Sequence, residues 1–164
     1  MPSADLVLPK RMSRVAVVAP QARVREALVE LAAVGVVELV GNLPPPEGEE
    51  VEALRRVRRA GGAAAEPAVL DRPPDLAALE SAGASDLLEG EVELVRRARL
   101  AVPHGSFVAW VGWAPTDALE PLNDRLALIG AAVVELSRPA WVGPPTLLNP
   151  VEVEQPFRPL VQSY

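Results

Sequence analysis

The chain contains no cysteine, and only one histidine and one tyrosine, in 164 residues. The missing cysteine excludes disulfides and thiolate metal sites, and leaves the redox compartment open. The single histidine, His104, stands between Pro103 and Gly105 with no acid at a fixed spacing. It reads as a solvated turn residue, neither a ligand nor a base. Aromatic residues make up 4% of the chain, so its core must be built from Val, Leu and Ala. No window reaches the roughly 18 continuous apolar residues of a membrane span. Met1-Pro2-Ser3-Ala4-Asp5 places a proline and an acid where a signal peptide has a basic start, so a cytoplasmic location is expected. The first strand-to-helix turn, Ala19-Pro20-Gln21-Ala22, lacks the glycines and the Lys-Ser/Thr of a phosphate loop. The net charge of −6 argues against nucleic acid or an anionic membrane as partner. All but one of the basic residues are arginine, which reads as compositional bias.

What is present is 49% apolar residues, ample for one domain, or for one domain with an appendage. Arg14-Val-Ala-Val-Val-Ala19 is a short β-branched run stopped by Pro20 and reads as a buried strand. From Ala22 to Val34 the residues Val24, Leu28 and Leu31 recur at the helical period, and Gly35 stands at the C-cap. Val36–Val40 reads as a second strand. The pattern then repeats. Ser106–Trp113 is a strand, and Asp117 and Glu120 have capping-box spacing before a helix with Leu119, Leu122, Leu126 and Ile129 on one side. Gly130 ends that helix and Ala131–Leu136 is a fourth strand. Two such units predict an α+β fold of the ferredoxin-like, split βαβ kind, with four antiparallel strands and two helices on one face. The strands at 14–19 and 106–113 are the most continuously apolar and should be central. The sandwich would comprise residues 12–41 and 105–137.

Residues 42–104 have a different character. Glu47–Ala60 is helical in pattern, with Val51, Leu54 and Val57 on one side, acids first and arginines last. Pro67–Pro74 reads as loop, followed by a weak helix near 76–82. A longer helix over 85–102 has Leu88, Val92, Val95, Ala98 and Val102 on one face, again with acids first. Each helix suits its own macrodipole. Packed antiparallel, the basic end of one meets the acidic start of the other, so the insertion reads as a helical hairpin. Its arginines read as a solvated, charge-balanced face and not as a nucleic-acid site, because no aromatic is interleaved to stack on bases. Trp110 and Trp113 fall on opposite faces of one strand, so one belongs to the core. The other, or Trp141, could anchor a partner. The candidate partner contacts are Arg55, Arg58, Arg59, Arg96 and Trp141. No nucleophile, base and oxyanion set assembles, so neither catalysis nor a cofactor or metal is expected.

Residues 138–164 hold six prolines and no sustained hydrophobic period, and read as an extended connector. At its end Phe157, Leu160, Val161 and Tyr164 have helix-like spacing. Three segments together resemble one family. These are Met12-Ser-Arg-Val-Ala-Val-Val-Ala-Pro with the helix ending Leu31-Ala-Ala-Val-Gly-Val-Val-Glu-Leu39, the turn Gly112-Trp-Ala-Pro115, and the tail Pro144-Pro-Thr-Leu-Leu-Asn149 with Pro156-Phe-Arg-Pro-Leu-Val-Gln-Ser-Tyr164. They resemble the cytosolic part of subunit I (subunit a) of V-type and archaeal-type rotary ATPases. That resemblance implies a non-catalytic stator that ties the peripheral stalk, made of subunits E and G, to the membrane sector. It also implies contact with the C/d component of the central stalk and with a membrane-domain counterpart toward which the tail would lead. The chain departs from the family pattern in that residues 42–104 are too few for the family's distal lobe. The membrane helices with their proton-path arginine are not represented either. The competing reading is a free-standing ACT-like regulatory domain, since that fold shares the βαββαβ order, but Ala19-Pro20-Gln21 lacks the Gly/Asn/Asp-rich turn such sites favour.

Overall fold

The computed structural model of the protein describes residues 10–137 and the strand 160–162. It is an α+β structure with an antiparallel sheet and five α-helices. The sheet is organised around two nine-residue strands, β1 (Met12–Pro20) and β5 (Phe107–Pro115). They pair antiparallel along their whole length, from Met12 opposite Pro115 to Pro20 opposite Phe107. β-branched and small side chains suit both strands, because each is flanked on both edges. β6 (Ala132–Glu135) pairs with β1, and the two-residue β2 (Glu38–Leu39) pairs with β5. The order β2-β5-β1-β6 puts the two most apolar strands at the centre, as the sequence leads one to expect. An unexpected short strand, β4 (Val102–His104), pairs with the start of β5.

Alternation along β1 decides which face is core. Val15, Val17 and Ala19 are fully buried, while Ala16 and Val18 are only partly so. Opposite them, Val108 and Trp110 of β5 complete the inner face. The helices α1 (Val24–Val34) and α5 (Leu119–Ala127) supply Leu28, Leu31, Leu122 and Leu126 to that same core. Gly35 and Gly130 follow these helices at φ 61° and 73°, the left-handed region in which a side chain would be strained. Gly35 N–H returns to Leu31 O at 2.8 Å.

Several local expectations are corrected. Asp117 caps nothing: a 3-10 turn at Thr116–Ala118 precedes α5, and the cap position is Ala118 with no side-chain hydrogen bond. Thr116 is held instead by Ser13 and by Arg11 O, which fixes the entry into α5 against β1. The segment read as loop contains β3 (Ala68–Leu70), which pairs in parallel with β7 (Leu160–Gln162). Leu160 and Val161 are therefore in a strand and not in a helix, while the rest of the proline-rich tail lies outside the described residues. The insertion contains α2 (Glu49–Arg59), α3 (Leu76–Ser81) and α4 (Ser85–Ala98), so it is three helices with the short strands β3 and β4, not a simple hairpin.

Leu31 is 3% exposed and faces the sheet. Truncation to alanine leaves a cavity that the surrounding aliphatic core only partly refills, so Leu31→Ala should lower stability by about 2–5 kcal/mol in urea melts. A loss below about 1 kcal/mol would mean that α1 packs by another face.

Candidate functional site

Two surfaces stand out, a charged helical layer and an apolar sheet face. The helical layer is organised by α4. Its buried stripe is Leu87, Leu88, Glu91, Leu94 and Arg97, which corrects the expected stripe of Leu88, Val92, Val95, Ala98 and Val102. The displacement has an electrostatic cause. Glu91, with its side chain 7% exposed, forms a two-pronged pair with Arg25 of α1 at 2.6 and 2.9 Å. Arg25 also donates to Leu70 O of β3 at 2.8 Å. The pair fixes the rotation of α4, and with it which residues form the buried stripe. Gly90 sits beside it, where a Cβ would lie 1.8 Å from Ala68 O, so only glycine admits β3 this close to the helix. Trp110 is the core tryptophan, and its indole N–H donates to Arg97 O at 3.0 Å, fastening the end of α4 to the sheet. Val102, expected on the helix, is in β4 and 63% exposed, because α4 has already ended at Ala98.

The helices α2 and α3 lie on α4. Ala53, Leu54, Val57 and Leu88 form a small second core, with Leu76, Leu79 and Val92 partly buried around it. Asp75 caps α3 by accepting from Ala77 N and Ala78 N. The expected antiparallel charge match is present at both ends: Arg58 pairs with Glu89 at 2.6 Å, and Arg99 approaches Glu47 at 3.9 Å.

This arrangement decides the standing of the candidate contact residues. Arg55 pairs with Glu52 on its own helix. Arg58 is tied to Glu89, and Arg96 donates to Pro44 O at 3.0 Å and to Glu93. Arg59 is exposed and forms no ion pair among the described residues. Arg55, Arg58 and Arg59 share one side of α2 by helical spacing, Arg96 is on α4, and Trp141 lies outside the described residues. Trp113 is 6% exposed and so is not an open anchor. His104 is exposed at the β4–β5 turn. Among the described residues no group of acids and histidine comes together to hold a metal ion. A groove of about 810 Å³ runs between the start of α2 and α3. Its two arginines are committed to its own acids, Arg55 to Glu52 and Arg56 to Glu80 at 2.6 and 2.9 Å. The hydrogen bond from Arg56 holds the Glu80 carboxyl below its ordinary range, and Glu80 in turn raises Arg56. A lowered carboxyl supports the folded state above its unfolded pKa, and this support fades as pH falls through the lowered value.

The sheet face turned away from the helices carries the feature that sequence reading missed. In register, its rows are Val102, Ala109, Val18, Ala132 and then Val40, Val111, Ala16, Val134. No charge interrupts these rows. Val40, Val102 and Val134, with Phe107 beside them, are roughly half exposed or more. The signal was available in the unbroken apolar runs of β1 and β5, which predict burial on both faces.

Neither a scan of protein-family models nor a search of curated proteins finds a match to the chain.

Glu91 suggests a direct test of the helical layer. Glu91→Ala leaves the Arg25 guanidinium largely buried without its counter-charge and should cost about 3–5 kcal/mol in urea melts. The double change Arg25→Met with Glu91→Leu removes both charges and should recover most of that loss. Equal losses in both variants would show that packing, not charge pairing, seats α4.

Proposed function

We propose that this chain is a non-catalytic stator module of a V-type rotary ATPase, docking a peripheral-stalk heterodimer of subunits E and G. We further propose that its sandwich is of the ferredoxin-like kind. The strand order and the placement of α1 and α5 on one face support that assignment. The three family-like segments support the functional reading. They lie on β1 with α1 and β2, on the end of β5, and on the tail.

The observation that carries the proposal is the partly exposed apolar sheet face. A face with Val40, Val102, Phe107 and Val134 about half exposed is costly to leave in water and marks a site where something else binds. A stalk helix pair offers an apolar stripe of matching chemistry. The arginine-rich layer beyond it would add weak, salt-sensitive attraction. Contact with the C/d component of the central stalk or with a membrane-domain counterpart belongs to the same reading. It places the chain at the membrane surface as part of a complex. Among the described residues no helix is long and apolar enough to cross a membrane.

The test is binding to the E–G heterodimer of the same organism, followed at low and moderate salt. Binding in the micromolar range that weakens with salt is expected. Val40→Glu with Val134→Glu should abolish it while leaving the melting temperature nearly unchanged, because both sites are half exposed. Arg59→Glu should weaken it modestly. No binding at tens of micromolar at low salt would overturn the proposal. A ligand-binding domain of ACT-like type would instead show saturable heat with a small molecule and none with the stalk.

A further inference from the structure

The helices of the insertion are held by two different kinds of force. α4 is fastened to the sandwich by buried interactions: the Glu91–Arg25 pair, the Gly90–Ala68 backbone contact, Leu94 in the main core and the Trp110–Arg97 hydrogen bond. None of the residues of α2 or α3 belongs to that main core. They rest on α4 through the small cluster around Leu54, Val57 and Leu88 and through ion pairs at wet positions. Arg56 joins α2 to α3 through Glu80, and Arg58 joins α2 to α4 through Glu89; both arginine side chains are about half exposed.

The chain on either side of α2 is pinned to α4 or its end, and the pins lie just outside glycines. Before the helix, Arg99 donates to Glu47 O and Arg96 to Pro44 O. The next residue after Glu47 is Gly48, with φ 130°. After the helix come Gly61, with φ 98° and open space around its α-carbon, and Gly62, and then Ala63, whose carbonyl accepts from Ser85 of α4. α3 is likewise followed by Gly83, with φ 65° and nothing nearby. Pinned ends with glycines between them make pivots; Gly61 and Gly83 have open space around them, whereas Gly62 packs against Val57 and Gly48 against the Glu50 side chain.

We propose that α2 and α3 form a flap, hinged at Gly48, Gly61–Gly62 and Gly83, which opens off α4 while the sandwich and α4 stay folded, and that its ion pairs set how often it opens. Opening bares Leu54, Val57 and Leu88, which are almost fully buried when the flap is closed. Ionic strength therefore controls access to an apolar cleft that the closed structure does not show. Surface pairs of this kind each shift such an equilibrium by up to about fivefold, and salt screens them. The buried Arg25–Glu91 pair is shielded from salt and holds the other side of the hinge fixed. The inference is independent of any stalk partner.

The test is native-state hydrogen exchange on the full chain at about 10 mM and about 1 M salt, where the screening length falls from roughly 30 Å to 3 Å. Amides of 49–59 and 76–81 should exchange together, well ahead of 87–94 and of β1 and β5, and by up to about tenfold faster at high salt. The Arg56→Gln, Arg58→Gln variant should show the fast rate already at low salt, with the sheet unchanged. Exchange of α2 and α3 only in step with the sheet would overturn the proposal. So would fast exchange indifferent to both salt and the variant.

Discussion

The whole arrangement depends on one pairing, the nine-residue antiparallel ladder between β1 and β5. These strands are far apart in sequence, and everything between them must leave and return within the geometry the ladder sets. Their in-register alternation places Val15, Val17 and Ala19 on the same side as Trp110 and Val108, and that choice of side fixes where α1 and α5 can pack. A slip of one residue would turn this row outward and expose the core. The same alternation leaves the opposite side apolar and only partly covered, so the interaction that folds the chain also creates its most prominent surface.

The second organising element is α4, because it belongs to both cores. Leu94 enters the main core and Leu88 the small one beneath α2. Glu91 stands between them on the same stripe and is neutralised by Arg25. A buried charge pair is not a strong source of stability on its own. Its value here is directional: only one rotation of α4 lets Glu91 reach Arg25, brings Gly90 onto Ala68 and gives Trp110 its acceptor at Arg97. The insertion is thereby oriented by polar contacts and glued by apolar ones, with the exposed ion pairs of α2 and α3 adding adjustable attraction at its outer edge.

Much of this is legible in the residue order, and the parts that are not share a cause. The two strand-helix-strand units announce themselves because Val24, Leu28 and Leu31, and then Leu119, Leu122 and Leu126, repeat at a period that local sequence can carry. The glycines at 35 and 130 mark real helix ends. β3 and β7 cannot be read in the same way: three residues each, they exist through a parallel pairing across about ninety positions. The stripe of α4 is hidden because Glu91 and Arg97 look solvent-facing until a partner from another element is known. Asp117 fails as a cap because Thr116 is drawn to Ser13 and Arg11, a tertiary contact that overrides a local preference. Of the candidate contacts, the arginines do lie on a charge-balanced face, yet Arg58 and Arg96 are engaged within the chain. The apolar sheet face, the strongest candidate, follows from strand runs whose apolar character by itself predicts only burial.

If this small sandwich works as a fixed part of a larger rotary assembly, it must travel with that assembly. The most direct measurement is to tag the chain at its natural level in its own organism, prepare membranes at low salt, and identify what co-purifies after mild extraction. A stator role predicts that the chain is recovered with the membrane fraction in constant ratio to the stalk proteins, and is released by salt. Recovery of the chain alone from the soluble fraction, with no rotary-ATPase component attached, would contradict it.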